Sequence, residues 1–243
     1  MLSTRKIIVT GAASGIGKEI ALQCLREGAS VIACDLNEER LSELAQTAAS
    51  PNLFTYKVNV RHYDEVAALF AALDREHGDI DGLVNNAGIY LGKSILDYKQ
   101  EEIDSVLDVN IKGAVYFSQF FGKRRLEQRK QGVIVNMSSV SGLEGSSDAV
   151  YGLSKAAILG LTKSCAMNFA PYVRVNAVAP TMVDTAMMEC IPEWRKREYV
   201  SHQLVNQPLT AEDVAHTVIF LLSDKARHYT GATFDINSGC YLR

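Results

Sequence analysis

The feature that most constrains this chain is an alternation of short β-branched runs with longer amphipathic stretches. Seven runs read as buried strands, in the order KIIVT, SVIAC, LFTYKV, DGLVNN, GVIVNMS, VRVNAVAP and ATFDI. Strands that alternate with helical patterns indicate βαβ units in a parallel sheet. The almost continuous apolar character of KIIVT and SVIAC indicates burial on both sheet faces. We therefore predict an α/β fold with a doubly wound sheet of about seven mostly parallel strands flanked by helices.

The chain of 243 residues contains no Pro/Ser-rich linker, low-complexity run or repeat. We predict one domain over residues 1–243. The least regular region, about 181–208, follows the sixth strand. Because ligands bind beyond the carboxyl ends of parallel strands, this region is predicted to be a substrate lid. Candidate wall residues are Glu144, Met187, Met188 and Trp194, each of which could instead simply pack the lid.

Charge and cysteine content exclude several classes of protein. A net charge of -3 gives no electrostatic case for nucleic acid or an anionic membrane as partner. The N-terminus lacks the pattern of a signal peptide, and no apolar run reaches the roughly 20 residues that span a bilayer. Five scattered cysteines suggest neither a disulfide framework nor a metal cluster. A cytoplasmic protein without a metal site is the expectation.

A glycine-rich turn, TGAASGIG, follows the first strand and opens an amphipathic helix. Gly11, Gly15 and Gly17 would let the backbone approach a pyrophosphate, whose charge the helix N-terminus favours. A glycine triplet alone fits a structural turn equally well. The second strand, however, ends in Asp35 about 20 residues on, where a carboxylate can accept hydrogen bonds from both adenosine ribose hydroxyls. This order favours dinucleotide binding by a Rossmann-type sheet.

The segment YGLSK places Tyr151 and Lys155 four residues apart, on one face of a predicted helix. A cation close to a phenol favours the phenolate, which would suit Tyr151 to act as a general base near neutral pH. Taken alone, such a pair more often shares a helix face without any chemistry. The other motifs must therefore decide its role.

With these motifs in order, the whole chain resembles the classical short-chain dehydrogenase/reductase family. TGAASGIG resembles the family's cofactor turn, NNAG its fourth-strand motif and YGLSK its YxxxK pair, and the RVNAVAP strand follows in the expected order. The resemblance implies a catalytic set of Asn110, Ser139, Tyr151 and Lys155. It implies cofactor contacts at Gly11, Ser14, Gly15, Ile16, Gly17, Asp35, Leu36, Asn59, Val60, Asn86, Ala87, Gly88, Tyr151, Lys155, Pro180, Val183 and Thr185.

The chain departs from the family pattern at three places. Thr181 stands where the family commonly has Gly, and Asn59 with Val60 replaces the usual Asp-Val, although the Asn side chain could still bind adenine. Ser139 is one residue closer to Tyr151 than usual, and Ser138 would restore the spacing. Because successive strand residues face opposite sides, only one serine can face the site, and we expect Ser139.

The resemblance implies an NAD-dependent oxidoreductase that transfers a hydride between a secondary alcohol or ketone and nicotinamide. Tyr151 would be the acid/base, Ser139 would hydrogen-bond the substrate oxygen, Lys155 would bind the nicotinamide ribose and Asn110, at a helix irregularity, would hold a water. Asp35 should repel a 2′-phosphate, Leu36 offers no compensating Arg, and Ser14 stands where NADP-using relatives often have Lys or Arg, so NAD is expected.

Two alternatives to this function stay open. One is a 3-oxoacyl-thioester (acyl-carrier-protein) reductase, with the basic run KRRLEQRK docking an acidic carrier through Arg124, Arg125, Arg129 and Lys130. That run could equally be a solvated helix end. The other is a non-catalytic dinucleotide-binding sensor on the same fold.

The stretches VYFSQFF and AAILGLTKSCAMNF carry more bulky apolar residues than one sheet face is expected to cover. The resemblance implies a homotetramer, or a dimer, built through these two helices by isologous contacts. They could instead only line the core.

Overall fold

A seven-stranded parallel sheet forms the centre of the protein. The structure, a computed structural model, describes residues 1–185, 188, 191 and 193–243, without the side chain of Arg195. The strand order is β3-β2-β1-β4-β5-β6-β7, and every pairing is parallel. The predicted fold class is confirmed, and each predicted run contains a strand. The strands are β1 (Lys6–Thr10), β2 (Ser30–Asp35), β3 (Leu53–Lys57), β4 (Gly82–Asn85), β5 (Gly132–Met137), β6 (Val173–Pro180) and β7 (Thr233–Ile236).

Helices cover both faces of this sheet. They are α1 (Gly15–Arg26), α2 (Glu38–Ala48), α3 (Tyr63–Glu76), α4 (Gln100–Leu107), α5 (Gly113–Gln128), α6 (Ala149–Asn168), α7 (Glu193–Ser201) and α8 (Ala211–Leu222). Side chains of α1, α2 and α8 form one apolar layer, and those of α3, α5 and α6 form the other. Alternate residues of β1 serve the two layers, because Ile7 and Val9 belong to the first and Ile8 to the second. This two-sided burial explains why KIIVT is apolar throughout.

The order of strands changes direction between β1 and β4. From β1 the chain proceeds outward through β2 to β3, and from β4 it proceeds the other way through β5 and β6 to β7. At such a switch point, the loops on the two sides diverge at the carboxyl ends of the strands. They leave a crevice in which ligands bind. The loops after β1 and β4 carry the glycine turn and the NNAG motif.

The region 181–208 is more regular than its sequence indicated, because it contains α7. An isolated bridge pairs Val183 with Leu209 and closes the region at its base. Residues 186, 187, 189, 190 and 192 lie outside the described part of the chain, and with them the candidate wall residue Met187. Within the described ranges, the helices are all too short or too polar to cross a bilayer.

Candidate active site

A cavity of about 510 Å³ runs along the carboxyl ends of the strands and spans the switch point. Because the loops follow the strand order, Asn59 and Asp35 line one end, Gly11 and Gly88 the middle, and Tyr151 the other end. The predicted cofactor residues all line this groove except Gly17. The sequence thus identified residues that are far apart along the chain and share one surface.

The glycine turn after β1 leaves room that any other residue would fill. Gly11 and Gly15 have φ angles of 63° and 53°, a region that favours glycine. A Cβ on Gly17 would lie 2.1 Å from the Gly11 carbonyl oxygen. The absence of a side chain at Gly17 therefore allows α1 to pack against the turn. Gly17 itself does not line the groove. N–H groups in the first turn of α1 have no acceptor within the helix, so this cradle fits the pyrophosphate of a dinucleotide.

Asn86 fastens the glycine turn to the end of β4. Its side-chain amide donates to the carbonyl oxygens of Thr10 and Gly11, at 3.0 and 3.1 Å. The Thr10 hydroxyl in turn accepts the backbone N–H groups of Asn86 and Ala87, at 3.0 and 3.1 Å. The NNAG motif thus shapes the cradle through Asn86, whose side chain is engaged with protein backbone.

Asp35 ends β2 and connects two turns at the groove. One carboxylate oxygen accepts the Ala13 N–H at 3.0 Å and the other accepts the Asn37 N–H at 2.9 Å. Each oxygen keeps further lone-pair capacity for a ligand hydroxyl. Leu36 beside it is 57% exposed and offers no positive charge. The charge of Asp35 is therefore fixed in place and faces whatever binds there.

Asn59 lines the predicted adenine end of the groove, and its side-chain oxygen already has a partner in the protein. Its side-chain oxygen accepts the backbone N–H and the Nε–H of Arg61, both at 3.2 Å, and its backbone N–H donates to Glu65 at 2.8 Å. The oxygen that would receive an adenine amino group is thus engaged with Arg61. Val60 and Arg61 also line this end of the groove.

The two adjacent serines after β5 are used differently. Ser138 Oγ donates to the Lys155 carbonyl oxygen at 2.7 Å and so fastens β5 to α6. Ser139 lies beside the Tyr151 side chain and lowers the pKa of the phenol. Its hydroxyl donates to the Pro180 carbonyl oxygen at 3.5 Å and accepts the Ser141 N–H at 3.2 Å. The geometry therefore brings Ser139, rather than Ser138, to the phenol, despite the shorter spacing in the sequence.

Burial dominates the ionisation of the Tyr151–Lys155 pair. Burial raises the pKa of Tyr151 to about 12, against the opposing effect of nearby Ser139. Burial likewise lowers the pKa of Lys155 to about 8. Lys155 Nζ donates to the Met137 carbonyl oxygen at 3.0 Å and lies 5.6 Å from the Tyr151 ring centroid. In this structure Tyr151 is a phenol at neutral pH, and Lys155 is not among the groups that shift its pKa. The predicted lowering of that pKa by Lys155 together with the nicotinamide ring of NAD+ stays a prediction.

Asn110 lies on a π-helical turn, Asp108–Lys112, between α4 and α5. Such turns are frequent at functional sites, and the predicted helix irregularity is present. The Asn110 side chain accepts the Ile89 N–H at 2.8 Å and donates to the Ile89 oxygen at 3.0 Å and the Ser154 hydroxyl at 2.9 Å. A Cβ on Gly88 would lie 3.3 Å from Lys155 Nζ and 3.4 Å from Asn110 Oδ1. Asn110 therefore holds the loop that contains Gly88 and Ile89 next to Lys155, and it lies just behind the wall of the groove.

The lid begins over the glycine turn. Thr181 has no positive φ, so the glycine common in the family is not required there. Its backbone N–H donates to Ile236 at 3.0 Å, and its hydroxyl accepts from the Cys240 thiol at 3.4 Å. The Thr185 methyl group lies 3.4 Å from the point that a Cβ on Gly15 would occupy. Thr185 thus faces the cradle from the lid side.

Other residues around the phenol were not singled out from the sequence. Tyr90 packs edge-on against Tyr151 with ring centroids 4.9 Å apart, and Tyr199 of α7 lines the same cavity. Asp148 caps α6, and its spacing before the helix could have identified it. Of the candidate wall residues, Met188 lines the groove, whereas Glu144 and Trp194 do not. The described ranges contain no cluster of His, Cys, Asp or Glu side chains that could hold a metal.

Comparison with known proteins shows that the chain is similar to several reductases. The profile of a family described as Enoyl-(Acyl carrier protein) reductase matches residues 11–241. The chain is 37% identical to a 3-oxoacyl-[acyl-carrier-protein] reductase of Thermotoga maritima, over 99% of both chains. It is 36% identical to the reductase of the same name from Staphylococcus aureus, over 100% of both.

Two further comparisons bear on specificity and fold. The chain is 36% identical, over 99% of both chains, to dehydrogenase/reductase SDR family member 6 of Aquarana catesbeiana. A solved 3-ketoacyl-(acyl-carrier-protein) reductase of Brucella melitensis, complexed with NADH, superposes with a TM-score of 0.92 over 100% of both chains, at 24% identity. At that identity the likeness establishes the fold.

Proposed function

Because this chain belongs to the classical short-chain dehydrogenase/reductase family and is an oxidoreductase with a dinucleotide cofactor, we propose that it interconverts a secondary alcohol and a ketone with NAD(H). The observation that carries the proposal is the position of Ser139 and of buried Lys155 beside the Tyr151 phenol. These side chains lie at the far end of a groove that begins at Asp35 and passes the glycine cradle. Neither the cofactor end nor the catalytic end of the groove would by itself support this reaction.

The cofactor, when bound, supplies the nicotinamide that accepts or donates the hydride. The cradle of Gly11 and Gly15 would hold its pyrophosphate, Asp35 its adenosine ribose and Lys155 its nicotinamide ribose. Ser139 would hydrogen-bond the substrate oxygen, where negative charge develops during reduction. Tyr151, a phenol at neutral pH, would then donate its proton to that oxygen, and in the reverse direction it would take the proton back.

The preference for NAD over NADP rests on Asp35. Its two contacts to backbone N–H groups prevent the carboxylate from swinging away to admit a 2′-phosphate. Ser14 lines the cradle where a Lys or Arg could otherwise bind that phosphate. Repulsion between two anions in a partly buried site is worth a few kcal/mol, so about 10²-fold or more in kcat/KM is expected.

The second candidate substrate is a 3-oxoacyl thioester on a carrier protein, which the names of several relatives favour. The basic run that could dock such a carrier is largely neutralised by the chain itself. Arg124 pairs with Asp74, Lys130 with Asp79, and buried Arg125 donates to the Gln131 carbonyl oxygen. Exposed Arg129 lies outside these contacts, so the run keeps part of its charge for an acidic carrier. A free secondary alcohol or ketone remains our first proposal.

A pure dinucleotide sensor is disfavoured by the same site. A binding module needs the cradle and Asp35, but it has no use for Ser139 beside the Tyr151 phenol or for a buried, destabilising Lys155. The relatives named by activity are reductases.

We also propose a homotetramer, for which a dimer is the alternative. α6 supports it, because Leu153 and Met167 are 59% and 81% exposed. α5 supports it less than its sequence indicated, since Phe117 and Phe121 are buried and Phe120 stacks on Phe70 of α3. Light scattering at micromolar concentration tests this assembly, and a stable monomer would exclude it.

The function itself is tested by initial rates with a panel of secondary alcohols, ketones and one 3-oxoacyl thioester, each measured with both coenzymes. We expect turnover of a free alcohol or ketone with NAD(H). Turnover of the thioester alone would support the second candidate, and equal or better efficiency with NADP(H) would refute the role given to Asp35. Absence of turnover with every member would count against an oxidoreductase of this substrate class.

A further inference from the structure

Asp148 is a fully buried carboxylate at the N-terminus of α6, three residues before Tyr151. A buried carboxylate is costly unless donors surround it. In the described part of the chain its donors are backbone N–H groups and one phenol. Tyr151 N–H donates to Oδ1 at 3.0 Å, Gly92 N–H to Oδ2 at 2.9 Å, and the Tyr98 hydroxyl to both oxygens at 2.8 and 2.9 Å. The Lys93 N–H lies farther away, at 3.4 Å.

These contacts connect α6 to the loop after β4. Asn110 holds that loop at Ile89, and Asp148 holds it again at Gly92. Tyr90 lies between the two anchors, with its ring edge-on against Tyr151. Asp148 therefore fixes both the helix that carries Tyr151 and the ring that packs on it.

A helix cap alone does not require this arrangement. Capping uses one side-chain acceptor, and a hydroxyl is sufficient, as Thr210 shows at the start of α8. Asp148 uses both oxygens and adds a buried negative charge close to the phenol. Burial is the main cause that raises the pKa of Tyr151, and Ser139 opposes it; Tyr90 and, after it, the charge of Asp148 raise the pKa further.

We propose that Asp148 is a positioning residue for the acid/base step: it fixes Tyr151 against Tyr90, and its buried charge acts on the phenol. The inference rests on the proposed role of Tyr151. The groups that face the phenol are Ser139 after β5, Tyr90 after β4, Lys155 and Asp148 of α6, and Tyr199 of α7. Tyr98, which donates to Asp148, also interacts electrostatically with Glu102.

The test is the titration of Tyr151 in Asp148→Asn, followed by NMR of [13Cζ]tyrosine-labelled protein and assigned with Tyr151→Phe. Asn keeps an acceptor for the cap but removes the charge. We expect the Tyr151 midpoint at lower pH than in the wild type, and kcat for ketone reduction about 10-fold lower at unchanged NADH affinity. An unmoved midpoint, even with a lowered melting temperature, would reduce Asp148 to a structural cap and overturn the proposal.

Tyr98→Phe provides a milder variant in case Asp148→Asn does not fold. It removes one donor and keeps the charge, so the Tyr151 midpoint should not fall, while kcat falls roughly 3- to 10-fold. Tyr56→Phe is the matched control, because the Tyr56 hydroxyl also donates to a carboxylate, that of Glu76 at 2.6 Å, away from the groove. Equal kcat in the two variants would contradict the proposal.

The NMR titration does not depend on turnover. If the wild type reduced no ketone, the proposed function would fail, whereas the Tyr151 midpoint would still decide whether Asp148 controls the phenol.

Discussion

The two ends of the groove use charge in opposite ways. At the cofactor end, Asp35 is partly exposed, held by backbone N–H groups and set among residues that act through their backbone. At the catalytic end, Lys155 and Asp148 are buried at 4% and 0% exposure. A charge that faces the ligand selects by repulsion, whereas a buried charge acts through pKa and costs stability. Changes at the first end should alter which coenzyme is used, and changes at the second should alter rate and stability.

The largest expected effect is at the catalytic end, in Lys155→Met. The variant removes the cation beside Tyr151 and a proposed ribose ligand, so turnover should fall by about 10²–10⁴-fold and NADH affinity should fall with it. Steady-state rates and calorimetric titration of NADH measure the two effects. Wild-type turnover would show that the buried charge has no part in the chemistry.

Ser139→Ala should lower kcat by about 10²–10³-fold, because it removes the donor proposed for the substrate oxygen. Ser138→Ala is the matched control, since it loses only the hydrogen bond to the Lys155 carbonyl. It should cost about 1 kcal/mol of stability, with kcat changed far less. If Ser138→Ala were the slower enzyme, the assignment of the two serines would be reversed.

At the cofactor end, Asp35→Ser combined with Leu36→Arg should shift coenzyme preference toward NADP+ by about 10²-fold in kcat/KM. The change removes the repelling carboxylate and supplies a guanidinium for the 2′-phosphate. Relative rates among substrates should stay the same with the preferred coenzyme. A variant that lost activity with both coenzymes would show that the backbone contacts of Asp35 outweigh its selective role.

The buried lysine also predicts a pH-dependent gain in stability. The folded pKa of Lys155, about 8, lies below the ordinary lysine value of 10.5, so the charged form destabilises the fold by about 3 kcal/mol. Lys155→Met should therefore raise the free energy of unfolding most below pH 8. The advantage should shrink as the pH rises from 8 toward 10.5, because the unfolded lysine then also loses its proton. Urea titrations at pH 7 and pH 10 check this trend, and a constant difference would contradict it.

The sequence predicted the cofactor end better than the catalytic end. Strands, the glycine turn and Asp35 are local patterns, readable from periodicity and spacing. Other properties depend on how neighbouring elements pack and cannot be read from local patterns. They are the pKa of Tyr151, the pairing of Arg124 with Asp74 and the contact of Asn59 with Arg61. Strand alternation favoured Ser139, which lies beside Tyr151, and its catalytic role stays a prediction. Asp148 was missed because its partners Gly92 and Tyr98 lie about 50 residues earlier in the chain.

The most direct test of the central claim is Tyr151→Phe, with turnover and NADH binding measured on the same preparation. Phenylalanine preserves the packing against Tyr90 but cannot donate a proton. The account predicts a loss of turnover of about 10²–10⁴-fold with a dissociation constant for NADH within about twofold of the wild type. Ketone reduction at the wild-type rate would contradict it.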